Sequence, residues 1–134
     1  MMVSTRGRYA LRVLIDLAEN DAGCWIPMKA VAERQGLSLK YIERIMPLLT
    51  KGGLVEGVHG KGGGYRLTKV PASITVGEVL RLTEGDLAPV ECVSCGAEPC
   101  GRTELCRTHG MWVDFTAVVN AYFDGITLAE LMRT

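Results

Sequence analysis

Four cysteines and a histidine fall within one run of eighteen residues, C-V-S-C-G-A-E-P-C-G-R-T-E-L-C-R-T-H, as Cys92, Cys95, Cys100, Cys106 and His109. Thiolates and imidazole are ligands for soft or borderline metals, so zinc, copper(I) and iron–sulfur clusters are the chemistries to weigh. The Cys92-x2-Cys95 pair has the knuckle form of structural zinc sites. The spacings that follow, x4 to Cys100, x5 to Cys106 and x2 to His109, are less regular. Clusters are held by about four ligands in which histidine can replace cysteine. Five candidates compete for those places, and spacing alone leaves zinc and a cluster equally open.

A second set of residues could meet nucleic acid. Ser38, Lys40, Tyr41, Glu43 and Arg44 lie near the start of one predicted helix, and His59 and Lys61 lie in the glycine turn H-G-K-G-G-G. Arginine and lysine read guanine edges, and glutamate accepts from cytosine N4. Ser38, Lys40 and Tyr41 could equally hold phosphates, which set register without carrying sequence information. The glycine turn is no nucleotide loop: it lacks G-x-x-x-x-G-K-[ST], and a strand rather than a helix follows. Its other readings are a groove-approaching wing and a plain hairpin turn.

The elements that position these residues are legible from period and punctuation. Ala10, Val13, Leu14, Leu17 and Ala18 predict a helix over 4–20, capped by Ser4 or Thr5. Pro27 suits the first turn of a second helix that runs to about Gln35, and Gly36 breaks the chain. Ser38 is the expected N-cap of a third helix, with Ile42, Ile45, Met46 and Leu49 on its buried face. Two short helices joined at a glycine make a helix-turn-helix. Pro47 should kink or break the third helix. Leu54–Val58 and Tyr65–Leu67 predict the hairpin that serves as the wing. Thr75 and Glu78 form a capping-box pair that starts a helix to about Leu82. A loop rich in Pro, Gly and Cys spans 84–103, and its length predicts a function. A long helix is expected over 104–124. Trp112, Phe115, Val119 and Tyr122 form one apolar stripe, Met111, Val118 and Phe123 widen it, and Gly125 ends it. Thr127 and Glu130 form a second capping box for a short final helix.

Composition sets bounds. With 134 residues the chain can bury a core without staples. The net charge of zero hides a division: residues 1–70 hold 11 Lys and Arg against 6 Asp and Glu, a balance of +5, and residues 71–134 hold 4 against 9, a balance of −5. A basic half joined to an acidic half points to nucleic-acid contact in the first. No apolar run approaches a membrane span, and no secretory apolar segment precedes the first helix, so a cytoplasmic protein without membrane contact is expected. Disulfides are disfavoured there. The remote Cys24 reads as a small buried hydrophobe. The deaminase pattern H-x-E…P-C-x-x-C is absent, and no enzyme is expected.

These motifs, in this order, resemble the Rrf2 family of winged-helix regulators along nearly the whole chain. The matching segments are T-R-G-R-Y-A-L-R at 5–12, G-L-S-L-K-Y-I-E-R-I at 36–45, G-L-V-E-G-V-H-G-K-G-G-G-Y-R-L at 53–67 and I-T-V-G-E-V-L at 74–80. They continue with P-V-E-C-V at 89–93, C-G-R-T-E-L-C-R-T-H at 100–109 and I-T-L-A-E-L at 126–131. The resemblance implies a mainly α fold with a small β-hairpin: a winged helix-turn-helix domain (1–83), a cysteine-rich cluster-binding loop (84–103), and a dimerisation helix with a C-terminal short helix (104–134). It implies an iron–sulfur cluster that controls DNA affinity in response to iron, redox state or nitric oxide. The stripe of helix 104–124 reads either as core or as a dimer seam; a domain this small has little core left for it, so a homodimer on double-stranded, pseudo-palindromic operator DNA is expected. Cys100 and Cys106 match family ligands, as does Cys92, whereas Cys95 is an extra that also fits some members. His109 resembles the histidine ligand of the iron–sulfur assembly regulator. Cys3His ligation favours a [2Fe–2S] centre, with [4Fe–4S] possible. Some nitric-oxide sensors of the family use an acidic residue in the first helix, where this chain has Arg8, itself grouped with the candidate DNA contacts. Glu43 matches a position that tunes sequence choice, and His59 stands where an arginine is common. The alternative is a cluster-free repressor, stabilised by zinc or acting through thiols.

Overall fold

A computed structural model describes residues 3–94, 96–98 and 100–133; Cys95 lies outside the described residues. Helix α1 (Thr5–Glu19) opens where Ser4 Oγ accepts from the Gly7 amide. Helix α2 (Met28–Gln35) ends at Gly36, whose φ of 66° is left-handed and turns the chain sharply. Ser38 then caps α3 (Leu39–Lys51) by accepting from the Tyr41 amide. The buried faces of these three helices meet through Leu14, Leu17, Val31, Ile42, Ile45 and Leu49, which form one core with Leu54 and Ile74.

Pro47 does not break α3, which continues to Lys51. Pro47 faces solvent, while Ile45, Met46 and Leu49 beside it are buried. Apolar burial on the inner face outweighs the missing hydrogen bond, a cost of about 3 kcal/mol. Cys24 is exposed and not a core hydrophobe. It sits in the turn between α1 and α2, held by the Gly23 amide donating to Asp21 Oδ1.

Strands β1 (Val55–Val58) and β2 (Gly64–Leu67) pair antiparallel with Val55 opposite Leu67 and Val58 opposite Gly64. Ile26 adds a bridge to Tyr65 that ties the hairpin to the start of α2. Helix α4 (Val76–Glu84) starts at Thr75, whose hydroxyl accepts from the Glu78 amide. The reciprocal half of that box is replaced by a bond from Lys69 Nζ to the Glu78 carboxylate, 3.0 Å. Helix α5 (His109–Asp124) begins five residues after the position the sequence pattern suggests, because residues 101–105 and 107–108 form turns. The short α6 (Leu128–Leu131) carries the complete capping box of Thr127 and Glu130.

α6 returns to the head. The Leu128 amide donates to the Ile74 carbonyl at 2.9 Å, the Val76 amide donates to the Ile126 carbonyl at 2.8 Å, and Leu128 is wholly buried in the α1–α3 core. A second cluster of Val76, Leu80, Leu87 and Val119 joins α4 to α5.

One buried charge stitches the helix-turn-helix to α1. Asp16, 2% exposed, accepts from Arg34 Nη2 at 2.7 Å, from Arg34 Nε at 3.0 Å and from Gln35 Nε2 at 3.0 Å. Its hydrogen bond raises the Arg34 guanidinium above its ordinary value. Arg34→Met leaves that carboxylate buried with one donor. Breaking a fully buried pair costs about 3–5 kcal/mol, and we expect about 2 kcal/mol because water reaches Arg34. Urea unfolding measures the loss, and Asp16→Leu added to Arg34→Met should recover most of it, since apolar replacement of both partners removes the stranded charge.

Candidate nucleic-acid interface and cysteine loop

The first turns of α3 present Lys40, Glu43 and Arg44 to solvent, and Ser38, Lys40, Tyr41 and Arg44 line a shallow hollow there. Ser38 Oγ accepts from the Tyr41 amide at 3.3 Å as the cap, and its O–H remains to donate outward. Tyr41 is half-buried. Its ring meets Tyr9 edge to face, with centroids 5.4 Å apart, and the Arg12 guanidinium lies 5.5 Å from the Tyr9 ring centroid. This stack couples α1 to the exposed helix.

His59 and Lys61 are both exposed at the tip of the hairpin. Behind the tip, Arg66 donates to Glu56 at 2.8 Å across the strands, and its guanidinium lies 4.1 Å from the Trp25 ring centroid. A cation over an indole face is a favourable quadrupole contact. Trp25 and Arg66 therefore brace the hairpin, a role the sequence did not reveal because the two are separated by a whole helix-turn-helix. Arg8 is exposed on α1 and donates to Thr5 Oγ1 at 3.2 Å. The candidate contacts thus come from three elements: α1, α3 and the hairpin.

The cysteine segment forms the connection between α4 and α5. Asp86 organises its start, accepting from the Ala88 amide at 3.1 Å and from Ser94 Oγ. Between these sits a 3-10 turn, Glu91–Val93, that carries half-buried Cys92. Cys100 is exposed, and its carbonyl accepts from the Thr103 amide at 3.1 Å and hydroxyl at 2.7 Å. Cys106 is exposed, with Sγ 3.4 Å from Thr108 Oγ1. That contact is the chief reason its thiol lies below the ordinary value, and the amides of Thr108 and His109 and the charge of Arg102 act in the same direction. Thr108 is a supporting residue that the ligand pattern alone did not single out. His109 is the first residue of α5 and half-exposed.

Cys92, Cys100 and Cys106 are free thiols. Among the described residues no three His, Cys, Asp or Glu side chains are gathered as a metal shell. The donor set is nonetheless soft: three thiols, one of them acidified, and an imidazole. Its chemistry fits a thiophilic metal centre, and its members stand on one connection and the helix that follows.

Helix α5 divides its apolar residues. Val119 faces the second core cluster, with Phe123 packed against it. Met111, Phe115, Val118 and Tyr122 recur at i, i+4, i+7 and i+11 along a neighbouring face, and all four are exposed, Val118 at 65% and Tyr122 at 64%. No helix among the described residues is long and apolar enough to cross a membrane.

Comparison with known proteins places this geometry. The family model Rrf2, described as an iron-dependent transcriptional regulator, matches residues 3–134. The HTH-type transcriptional regulator IscR of Aliivibrio salmonicida (strain LFI1238) is 38% identical over 132 residues, covering 98% of this chain and 77% of that protein. The regulator of the same name from Escherichia coli O1:K1 / APEC is 37% identical over 133 residues, covering 99% and 81%. Among solved structures, CymR, the global cysteine regulator of B. subtilis, superposes with a TM-score of 0.78 at 34% identity, covering 98% of this chain and 95% of that one. T. potens IscR superposes with a TM-score of 0.74 at 34% identity, covering 98% and 85%. These relatives are transcription regulators, not enzymes. With its helix-turn-helix, its paired-strand wing and a match along nearly its full length, the chain belongs to the Rrf2 family of transcriptional regulators.

Proposed function

We propose that this regulator is a cytoplasmic homodimer whose affinity for a two-fold operator is set by an iron–sulfur cluster. The observation that carries the reading is the donor set on the α4–α5 connection: free Cys92, Cys100 and acidified Cys106, with His109 opening the next helix. The relatives named IscR and the family's description as iron-dependent support iron over zinc. Cys100, Cys106 and His109 would hold the cluster, with Cys92 or Cys95 as the remaining ligand, and Cys3His ligation suits [2Fe–2S] better than [4Fe–4S]. When bound, such a centre supplies a redox-sensitive cross-link among the thiolates. The chain's own part is to hold the Cys106 thiol below its ordinary value through Thr108 and to lead from the connection directly into α5.

The exposed stripe of Met111, Phe115, Val118 and Tyr122 is the face we assign to the second copy, because contiguous exposed apolar surface of this kind marks an interface. Two reading heads about 34–36 Å apart, or a multiple of that, would then face successive turns of DNA. In each head, Lys40, Tyr41, Glu43 and Arg44 enter the major groove, Ser38 and Arg8 meet backbone, and His59 and Lys61 approach from the hairpin tip.

Anaerobically purified protein should be coloured, with visible absorption and stoichiometric iron and acid-labile sulfide. Footprinting one promoter with loaded and stripped protein at matched salt should give different affinities. A colourless protein carrying one zinc per chain would instead establish the zinc-stabilised repressor. The likeness to Staphylococcus aureus CymR, solved in an oxidised form, is the observation behind a thiol-based second reading, which is supported if regulation tracks disulfide state in iron-free protein.

The DNA contacts make a second prediction. Arg44→Ala should weaken specific binding by about 1–3 kcal/mol and relax preference at one base pair. Lys61→Ala should weaken all sequences alike and reduce the slope of log affinity against log salt by about one per head. Filter binding across a salt series separates the two, and an Arg44→Ala loss that is uniform over sequences would reassign Arg44 to phosphate.

A further inference from the structure

The side chain of Arg81 leaves α4 and grips α5 at two successive turns. Nη1 donates to Asp124 Oδ1 at 2.8 Å, and Nη2 donates to Asp124 Oδ2 at 2.9 Å and to Asn120 Oδ1 at 2.6 Å. Asn120 is itself oriented by donating to the Thr116 carbonyl at 2.8 Å. The planar guanidinium fork fixes direction as well as distance. Gly77 lies directly against this contact: a Cβ there would overlap the Asp124 carboxylate, so the missing side chain leaves that carboxylate room to meet Arg81. The hydrogen bond holds the Asp124 carboxyl below its ordinary value and raises Arg81.

Three further facts give the contact a role beyond holding two helices together. Arg81 and Asp124 are 36% and 45% exposed, and ion pairs this open contribute little stability. Arg81, Thr116 and Asn120 also line a cavity of about 320 Å³ whose other wall is Gly85, Asp86, Leu87, Ala88 and Val93, the first part of the cysteine connection, with Val93 next to Cys92. The gripped face of α5 is opposite the exposed stripe of Met111, Phe115, Val118 and Tyr122, so any rotation of α5 permitted at Arg81 redirects that stripe.

We propose that Arg81, with Asp124 and Asn120, is the positioning joint that fixes the rotation of α5 against the head and thereby the spacing of half-sites the dimer accepts. The joint rests on the dimeric reading above and adds the residues that set its geometry. The cysteine connection forms the far wall of the same cavity, so a change there lies directly beside the joint.

The test uses the full chain, iron-free, on an operator panel in which the half-sites are moved apart or together by two base pairs. Each such change rotates one half-site by about 70° around the duplex, and a rigid dimer cannot follow. Wild type should discriminate the best spacing by about 30-fold, Arg81→Met by about threefold or less, and Arg81→Lys, which keeps charge but loses the fork, by a value in between. Should Arg81→Met fail to fold, Asp124→Asn and Asn120→Ala remove the two arms separately, and each should flatten the spacing profile in part. Sedimentation is run alongside. An Arg81→Met dimer, or arm variants in its place, with a spacing profile as sharp as wild type overturns the joint and leaves the dimeric reading standing. A wild-type chain that stays monomeric on its operator overturns both.

Discussion

Replacing Cys100 and Cys106 together by alanine is expected to abolish iron loading while the melting temperature stays within a degree or two of wild type. Both thiols are exposed, so their removal opens no cavity and strands no buried partner. The Cys106 thiol gives up its interaction with Thr108 Oγ1 at 3.4 Å, in a turn-rich segment where water can take its place. The ligand count falls below what a cluster needs, since only Cys92, His109 and Cys95 remain for about four places. Iron per chain after anaerobic reconstitution should fall to less than about a tenth of wild type, and Cys24→Ala, far from the cysteine run in sequence, should load normally. Operator binding by the double variant should match that of stripped wild type. Iron retained at wild-type stoichiometry by the double variant would remove this loop from the site.

Leu128→Ala is expected to be the most damaging single truncation near the C-terminus. Leu128 is fully buried in the same core as Leu14, Ile42 and Ile74, although it lies more than fifty residues beyond the nearest of them in sequence. Large-to-small changes at such sites cost about 2.7–5 kcal/mol, the transfer energy of the deleted atoms plus the cavity left behind. That is a large share of the roughly 5–15 kcal/mol by which a domain is stable. Because the cavity opens inside the head, urea unfolding followed by far-ultraviolet dichroism should show one transition moved to lower urea with unchanged slope, and operator binding should fail at the same denaturant concentration. Leu131→Ala, at a position 45% exposed, should cost less than about 1 kcal/mol. Equal losses at the two positions would mean that α6 is not anchored in the head core.

The local parts of this protein were written in adjacent residues. Ser4, Ser38, Thr75 and Thr127 are N-caps in the structure as their sequence context implied, because a cap is a bond across three residues. Gly36 marked the turn of the helix-turn-helix for the same reason, and two short strands around a glycine turn marked the wing. The soft character of the cysteine run was equally plain from residue type. Tertiary structure decided what depends on partners far along the chain. It carried α3 through Pro47, because burial of Ile45, Met46 and Leu49 outweighs one hydrogen bond. It turned Val119 inward and Tyr122 outward on a helix whose apolar residues looked alike in sequence. It returned α6 to the head, so that Leu128 shares a core with Leu14. It closed Arg81 on Asp124 across 43 positions, a pairing no local pattern encodes. Short-range hydrogen bonds and periodicity are fixed by neighbours in the chain, whereas the choice among equally apolar or equally charged partners is made only when the helices pack.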